Sequence, residues 1–263
     1  MDRLPGNIRI INYFHGLKKM TEKPSKIPSG FFITGTDTGI GKTFVCSLLI
    51  KAFMKSLPIT YFKPVQTGCI TDAKGELVAP DFEYILESGV TRIAEYRTHV
   101  PYRFKEACSP HLAARLERKE ISINFISDCL QKLSKHDDHP RMVIVEGAGG
   151  IYTPLGKASY MLDLMTTLEL PVILVVSPKL GSLNHTVLSI NTLLKRSLRL
   201  AGVVMNDPYG LPLDFIYADN KEFVRELVNP TPFVHIPFTQ TIISDPGASS
   251  SPALKDFCRE LLR

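Results

Sequence analysis

Gly35-Thr36-Asp37-Thr38-Gly39-Ile40-Gly41-Lys42-Thr43 stands between the apolar run Phe31-Phe32-Ile33 and the amphipathic run Phe44-Val45-Cys46-Ser47-Leu48-Leu49. Strand, glycine-bearing loop and helix in that order are the context a phosphate-binding loop requires. Backbone N–H groups of such a loop and of the helix N-terminus converge on one point and favour an anion there. Gly39, Ile40 and Gly41 form the turn, Lys42 reaches the outer phosphates, and the Thr43 hydroxyl ligates Mg²⁺. The strict pattern has glycine five residues before Gly41; here that residue is Thr36 and the glycine is Gly35, so the loop is a variant.

Outward from the loop, the chain alternates apolar runs with helical periodicity. Ile59-Thr60-Tyr61-Phe62 is a short strand ending at Lys63-Pro64. Met142–Val145, Val172–Val176 and Leu200–Met205 are continuous apolar runs, the kind buried on both faces of a parallel sheet. Helices are predicted over about 43–56, from Asp81 as N-cap through Leu86, from Ser109-Pro110 onward, over 122–135 and over 182–197. Pro101–Phe104 reads as irregular. Alternating strands and helices imply right-handed crossovers, hence an α/β fold with a mostly parallel sheet and helices on both faces.

Ligands in such sheets bind at the carboxyl ends of the strands. Lys63, Glu146, Ser177 and Asn206 all stand there. Lys63 supplies a second ammonium near a transferring phosphoryl group, with the Thr67 hydroxyl beside the substrate. Glu146, followed by Gly147-Ala148-Gly149-Gly150, suits Mg²⁺ ligation with close backbone approach to a ligand. Asp81, Thr43 and Glu146 together offer hard oxygen ligands for that ion, against the alternative that Asp81 only caps its helix. Gly181-Ser182-Leu183-Asn184 opens a helix whose free N–H groups suit a carboxylate, against simple capping by Ser182. Asn206-Asp207 follows a strand, where the Asn206 amide can read a base edge. Cys46 and Cys129 fall within apolar helical patterns and read as core, and His111 and His185 as helix residues.

Composition bounds the class. The 263 residues, 44% of them hydrophobic, suffice for one large domain. The five cysteines never form a C-x-x-C pair, so no zinc or disulfide framework is indicated and a cytoplasmic setting fits. No apolar run approaches the ~20 residues of a membrane span. The net charge of +5 is concentrated in residues 1–29, with six basic and two acidic residues. The rest is nearly neutral and offers no electrostatic case for nucleic acid. Residues 1–29, with Pro5, Gly6, Pro24 and Pro28, read as a poorly ordered or non-native extension, and Met20 is a second possible start. A transit peptide is the alternative, against which its few serines weigh. Residues 30–263 form the domain.

Gly35–Thr43, Lys63-Pro-Val-Gln-Thr-Gly68, Ser109-Pro-His111, Val145–Gly150, Thr153-Pro-Leu155, Lys179–His185 and Asn206-Asp207 resemble the dethiobiotin synthetase family in order and spacing. The resemblance runs from about Phe31 to Asp207 and then weakens, with a nucleotide-base segment at Ile236-Pro237-Phe238. It implies a single P-loop NTPase domain, a homodimer, and an ATP- and Mg²⁺-dependent ligase closing a cyclic urea on 7,8-diaminononanoate with CO₂. On that reading Lys42 and Lys63 stabilise phosphates and carbamate, and Thr67 contacts the substrate. Thr43, Asp81 and Glu146 bind Mg²⁺, while Gly147 to Gly149, Asn206, Asp207 and Ile236 to Phe238 line the nucleotide. Gly181 to Asn184 of the partner subunit would grip the substrate carboxylate. Gly39 stands where some relatives carry an acidic residue, so no carboxylate acts there. Thr239-Gln240-Thr241 and Ser249-Ser250-Ser251 also depart from the pattern. Among related P-loop proteins, an amidating ligase would commonly add a glutaminase domain for which this chain has no room. A partition-type ATPase switch would carry lysine at the position of Asp37.

Overall fold

The computed structural model describes residues 29–54, 56–89, 95–134, 141–238 and 251–263. The expected extension therefore lies outside the described residues except for Ser29, as do Thr239–Thr241 and Ser249-Ser250.

Six strands pair in parallel into one sheet: β1 Gly30–Gly35, β2 Ile59–Phe62, β7 Met142–Glu146, β8 Val172–Val176, β9 Leu200–Asn206 and β10 Phe233–Ile236. Their spatial order is β10-β9-β8-β1-β7-β2. β1 is central, with Phe31 opposite Ile144 of β7 and Phe32 opposite Val172 of β8. Successive side chains of a strand point to opposite faces. Phe31, Ile33, Ile144, Ile173 and Val175 thus pack on one side, against helices α1 Lys42–Phe53, α2 Pro80–Glu87 and α9 Pro252–Leu261. Phe32, Val143, Val145, Leu174 and Val176 pack on the other, against α5 Ile123–Ser134, α6 Met161–Leu168, α7 Ser182–Lys195 and α8 Phe215–Val228. Burial on both faces is the physical reason these strands read as unbroken apolar runs.

Shorter elements surround the end of β2. β3 Val65–Gln66 pairs in parallel with β6 Tyr102–Arg103, so part of the segment read as irregular is strand. β4 Ile70–Thr71 and β5 Leu77–Val78 form a hairpin, and α3 Tyr96–His99 and α4 Pro110–Leu116 follow. α4 has Ser109 at its N-cap and Pro110 at N1, as the sequence suggests. Two expectations are corrected. Asp81 is not an N-cap: Ala79 holds that position and Asp81 lies in the first turn of α2, because Pro80 fits N1 and starts the helix two residues earlier than a cap at Asp81 would. Ser182 does not cap α7 either: Gly181 is the N-cap at φ 88°, and the Ser182 hydroxyl is buried without a hydrogen-bond partner.

Candidate active site

The loop between β1 and α1 wraps around Lys42. Gly41 is the N-cap of α1 at φ 82°, a left-handed conformation that favours glycine, and a Cβ there would sit 2.4 Å from the Asn206 side-chain nitrogen. No side chain caps this helix and no acidic residue occupies its first turn, so its leading N–H groups remain for an anion. Lys42 Nζ donates to the Asp37 carbonyl at 2.7 Å. Burial above all, and then the neighbouring charge of Lys63, pull its pKa down to about 8.

Beside the loop, four elements bring oxygen and ammonium groups together. Glu146 closes β7 and is 1% exposed. Its Oε1 accepts from the Thr43 hydroxyl at 2.9 Å and from Lys63 Nζ at 2.5 Å, and its Oε2 accepts from the Tyr61 hydroxyl at 2.7 Å. Lys63 also pairs with Asp81 Oδ2 at 2.6 Å. Burial works against the Lys63 charge, but Glu146 and Asp81 outweigh it and hold the ammonium above the ordinary lysine range. Burial likewise opposes the Asp81 charge, and Lys63 overrides it, keeping that carboxyl below its usual range. The Tyr61 phenol is pushed up by burial and by Glu146, and stays protonated. Tyr61 is the residue sequence reasoning missed. The signal was present, since Tyr61 and Lys63 are two residues apart at the end of a strand and so share a face.

A hydroxyl and two carboxylates around one ammonium are a donor set that fits Mg²⁺. The described residues hold no cluster of three or more His, Cys, Asp or Glu spaced for a metal. Mg²⁺ requires none, because waters and phosphate oxygens complete its octahedron.

The remaining predicted residues fall into two groups. One closes on the loop. The Asn206 amide donates to the Ile40 carbonyl at 2.9 Å, so its N–H supports the loop. Asp207 spends its carboxylate oxygens on the N–H groups of Tyr209 and Leu211, each at 3.0 Å. Ile236 pairs with Asn206 across β9 and β10, which puts exposed Pro237 and Phe238 beside Asn206-Asp207. The Gly147 N–H donates to the Ile33 carbonyl at 2.9 Å, and Gly149 turns at φ 64° as the chain leaves the sheet past Ala148. The other group stands apart. Thr67 follows β3, half-buried, its carbonyl accepting from the Gln66 amide at 3.0 Å. Gly181 and Asn184 are exposed at the start of α7, with Leu183 half-buried. Among the described residues no hydrogen bond joins Gly181–Asn184 to Lys42, Lys63 or Glu146. Cys46 and Cys129 are buried as expected, and burial raises the pKa of both thiols.

A parallel sheet with β1 at its centre, and a glycine-turned loop presenting a buried lysine beside a strand-end carboxylate, define a P-loop nucleotide-binding α/β protein. A family model described as "AAA domain" matches residues 29–243. The ATP-dependent dethiobiotin synthetase BioD of Fusobacterium nucleatum is 38% identical over 216 residues, 82% of this chain and 94% of that protein. The protein of the same name from Halalkalibacterium halodurans is 35% identical over 222 residues, 82% and 88% of the two chains. The chain belongs to the ATP-dependent dethiobiotin synthetase family. A ParA family ATPase from Chlorobium tepidum has a similar fold, with a TM-score of 0.51 at 12% identity over 89% of this chain and 99% of the other. At that identity the likeness concerns the fold alone.

Proposed function

We propose that this protein closes a cyclic urea on 7,8-diaminononanoate, consuming CO₂ and ATP and releasing dethiobiotin, ADP and phosphate. The observation that carries the reading is the convergence of Lys42, Thr43, Lys63, Asp81 and Glu146 beside the loop, in a member of this family. One substrate amine takes up CO₂ as a carbamate and releases a proton. A carbamate oxygen attacks the γ-phosphorus of ATP and ADP leaves, giving a carbamic-phosphoric anhydride. The second amine attacks the carbonyl carbon, the C–O bond to phosphate breaks, and the ring closes.

Such chemistry needs no protein nucleophile; it needs position and charge neutralisation. The loop N–H groups and Lys42 hold the phosphates. Bound polyphosphate supplies the negative charge that a lysine with a pKa of about 8 lacks in the free protein, so nucleotide binding drives Lys42 fully protonated. Lys63 is held charged by two carboxylates and reaches the carbamate and the transferring phosphoryl group. Thr43, Asp81 and Glu146 would hold Mg²⁺, which when bound neutralises charge on the phosphate oxygens. Thr67 contacts the substrate, and Asn206, Asp207 and Ile236 to Phe238 flank the base.

The substrate carboxylate belongs at Gly181 to Asn184 of the partner subunit in a homodimer. Supporting this, Leu180 is 74% and Leu188 57% exposed on and beside α7, apolar surface that a second copy would cover. No described helix is long and apolar enough to cross a membrane. All five cysteines are free, and a cytoplasmic setting completes the reading.

The test is phosphate release from MgATP and bicarbonate with and without 7,8-diaminononanoate, with a mass spectrum of the product. Diamine-dependent release and a product heavier by one carbonyl and lighter by two hydrogens is the expected result. Release indifferent to the diamine rejects the proposal.

A further inference from the structure

The two oxygens of Glu146 stand in different surroundings. Oε1 faces the loop, between the Thr43 hydroxyl and Lys63. Oε2 faces the interior, where the Tyr61 hydroxyl donates to it at 2.7 Å. Tyr61 has nowhere else to go. It is 2% exposed, and its ring stacks on Phe82 at 6.0 Å and 17°. Phe82 is clamped in turn by Tyr96, edge-on at 4.8 Å, and by His99 at 5.2 Å. His99 Nδ1–H donates to the Tyr61 carbonyl at 2.7 Å, fixing the backbone beneath the ring. Phe82 directly follows Asp81, so one aromatic cluster braces both carboxylates.

We infer that Tyr61 sets the metal selectivity of the site by confining Glu146 to a single ligand oxygen; this rests on the proposed metal-dependent nucleotide site. A cation on the loop side would take the place of the Lys63 ammonium at Oε1, whereas Oε2 is turned into the interior toward the buried Tyr61 hydroxyl, so the carboxylate offers the cation Oε1 alone. Turning to present both oxygens would leave the Tyr61 hydroxyl buried without a partner. Mg²⁺ and Mn²⁺ accept octahedral sets with one oxygen from each carboxylate, whereas Ca²⁺ takes six to eight oxygens and favours bidentate carboxylates. Tyr61 is thus a positioning residue that acts through Glu146 and penalises the larger ion.

The experiment is calorimetric titration of the full-length protein with ADP in the presence of Mg²⁺ or Ca²⁺, for the wild type and for Tyr61→Phe, which keeps the ring stack. The wild type should bind ADP more tightly with Mg²⁺. In Tyr61→Phe the Mg²⁺ to Ca²⁺ affinity ratio should fall by about 10-fold or more, the scale on which groups behind a metal ligand act. A purely structural role would lower both affinities together and leave the ratio alone, so an unchanged ratio in a folded variant overturns the inference. A wild-type crystal structure with Mn²⁺ and ADP tests it without any substitution. Glu146 should ligate through Oε1 with Oε2 still on Tyr61, and a bidentate Glu146 overturns it. ADP binding in the wild type that no divalent ion affects overturns the metal site itself, and this role of Tyr61 with it.

Discussion

Lys63→Met tests the electrostatic design of the site most directly. The substitution nearly conserves volume but removes the ammonium between two carboxylates, Glu146 Oε1 at 2.5 Å and Asp81 Oδ2 at 2.6 Å. Removing one partner of a buried ion pair typically costs about 3–5 kcal/mol, because the other charge is stranded. Two features of this site place the cost at the lower end. Glu146 keeps its hydrogen bonds from Thr43 and Tyr61, and the Asp81 side chain is 30% exposed and regains water. At about 3 kcal/mol, a chain of this size should lose roughly 6–12 °C in melting temperature. The loss should depend on pH. Lys63 holds the Asp81 carboxyl below its usual range, so the stabilisation is fully present above the unfolded carboxylate pKa and is lost as pH falls through the folded value. Wild type and variant should therefore differ most near neutrality and converge on acidification below about pH 4. Scanning calorimetry from acid to neutral pH measures both effects. A variant melting within about 2 °C of wild type at pH 7, less than 1 kcal/mol on the same scale, would refute the view that Lys63 neutralises the pair.

Three further outcomes follow from the same geometry. Lys42→Ala should abolish diamine-dependent phosphate release while leaving the circular dichroism spectrum unchanged, and retained turnover would remove the phosphate-loop assignment. Because the folded Lys42 pKa of about 8 lies below its ordinary 10.5, the free protein binds fewer protons there than the unfolded chain. Wild-type stability should then gain a component as pH rises from about 8 to 10.5, and Lys42→Met should lose that rise; parallel melting curves across this range would contradict it. Mixing Lys42→Ala protomers with Asn184→Ala protomers should restore one competent site per heterodimer. Failure to complement, with heterodimers demonstrated by native mass spectrometry, would count against a site shared between subunits.

Read alone, the sequence determined whatever depends on neighbours along the chain. The phosphate loop was legible because its glycines and Gly41-Lys42-Thr43 stand directly between an apolar run and a helical one. Beyond it, β7, β8 and β9 were legible as unbroken apolar runs because burial on both faces leaves no polar alternation, and β2 as a short strand-like run ending at Lys63-Pro64. β10 was missed: only four residues long, it carries half-buried His235 and lies at the edge of the sheet, where burial is one-sided. α6, α8 and α9 also passed unread. What only the tertiary structure decided is which distant residues meet. Lys63 and Glu146 are 83 positions apart and touch because β2 and β7 are neighbours, a pairing order that local periodicity does not encode. Asp81 read as an ambiguous cap until the packing of α2 turned its carboxylate onto Lys63. Tyr61 read as an ordinary strand residue, and its hydroxyl found its partner only when the sheet placed the buried Glu146 carboxylate against it, since in a dry interior each polar group must be answered by another wherever the chain brings one.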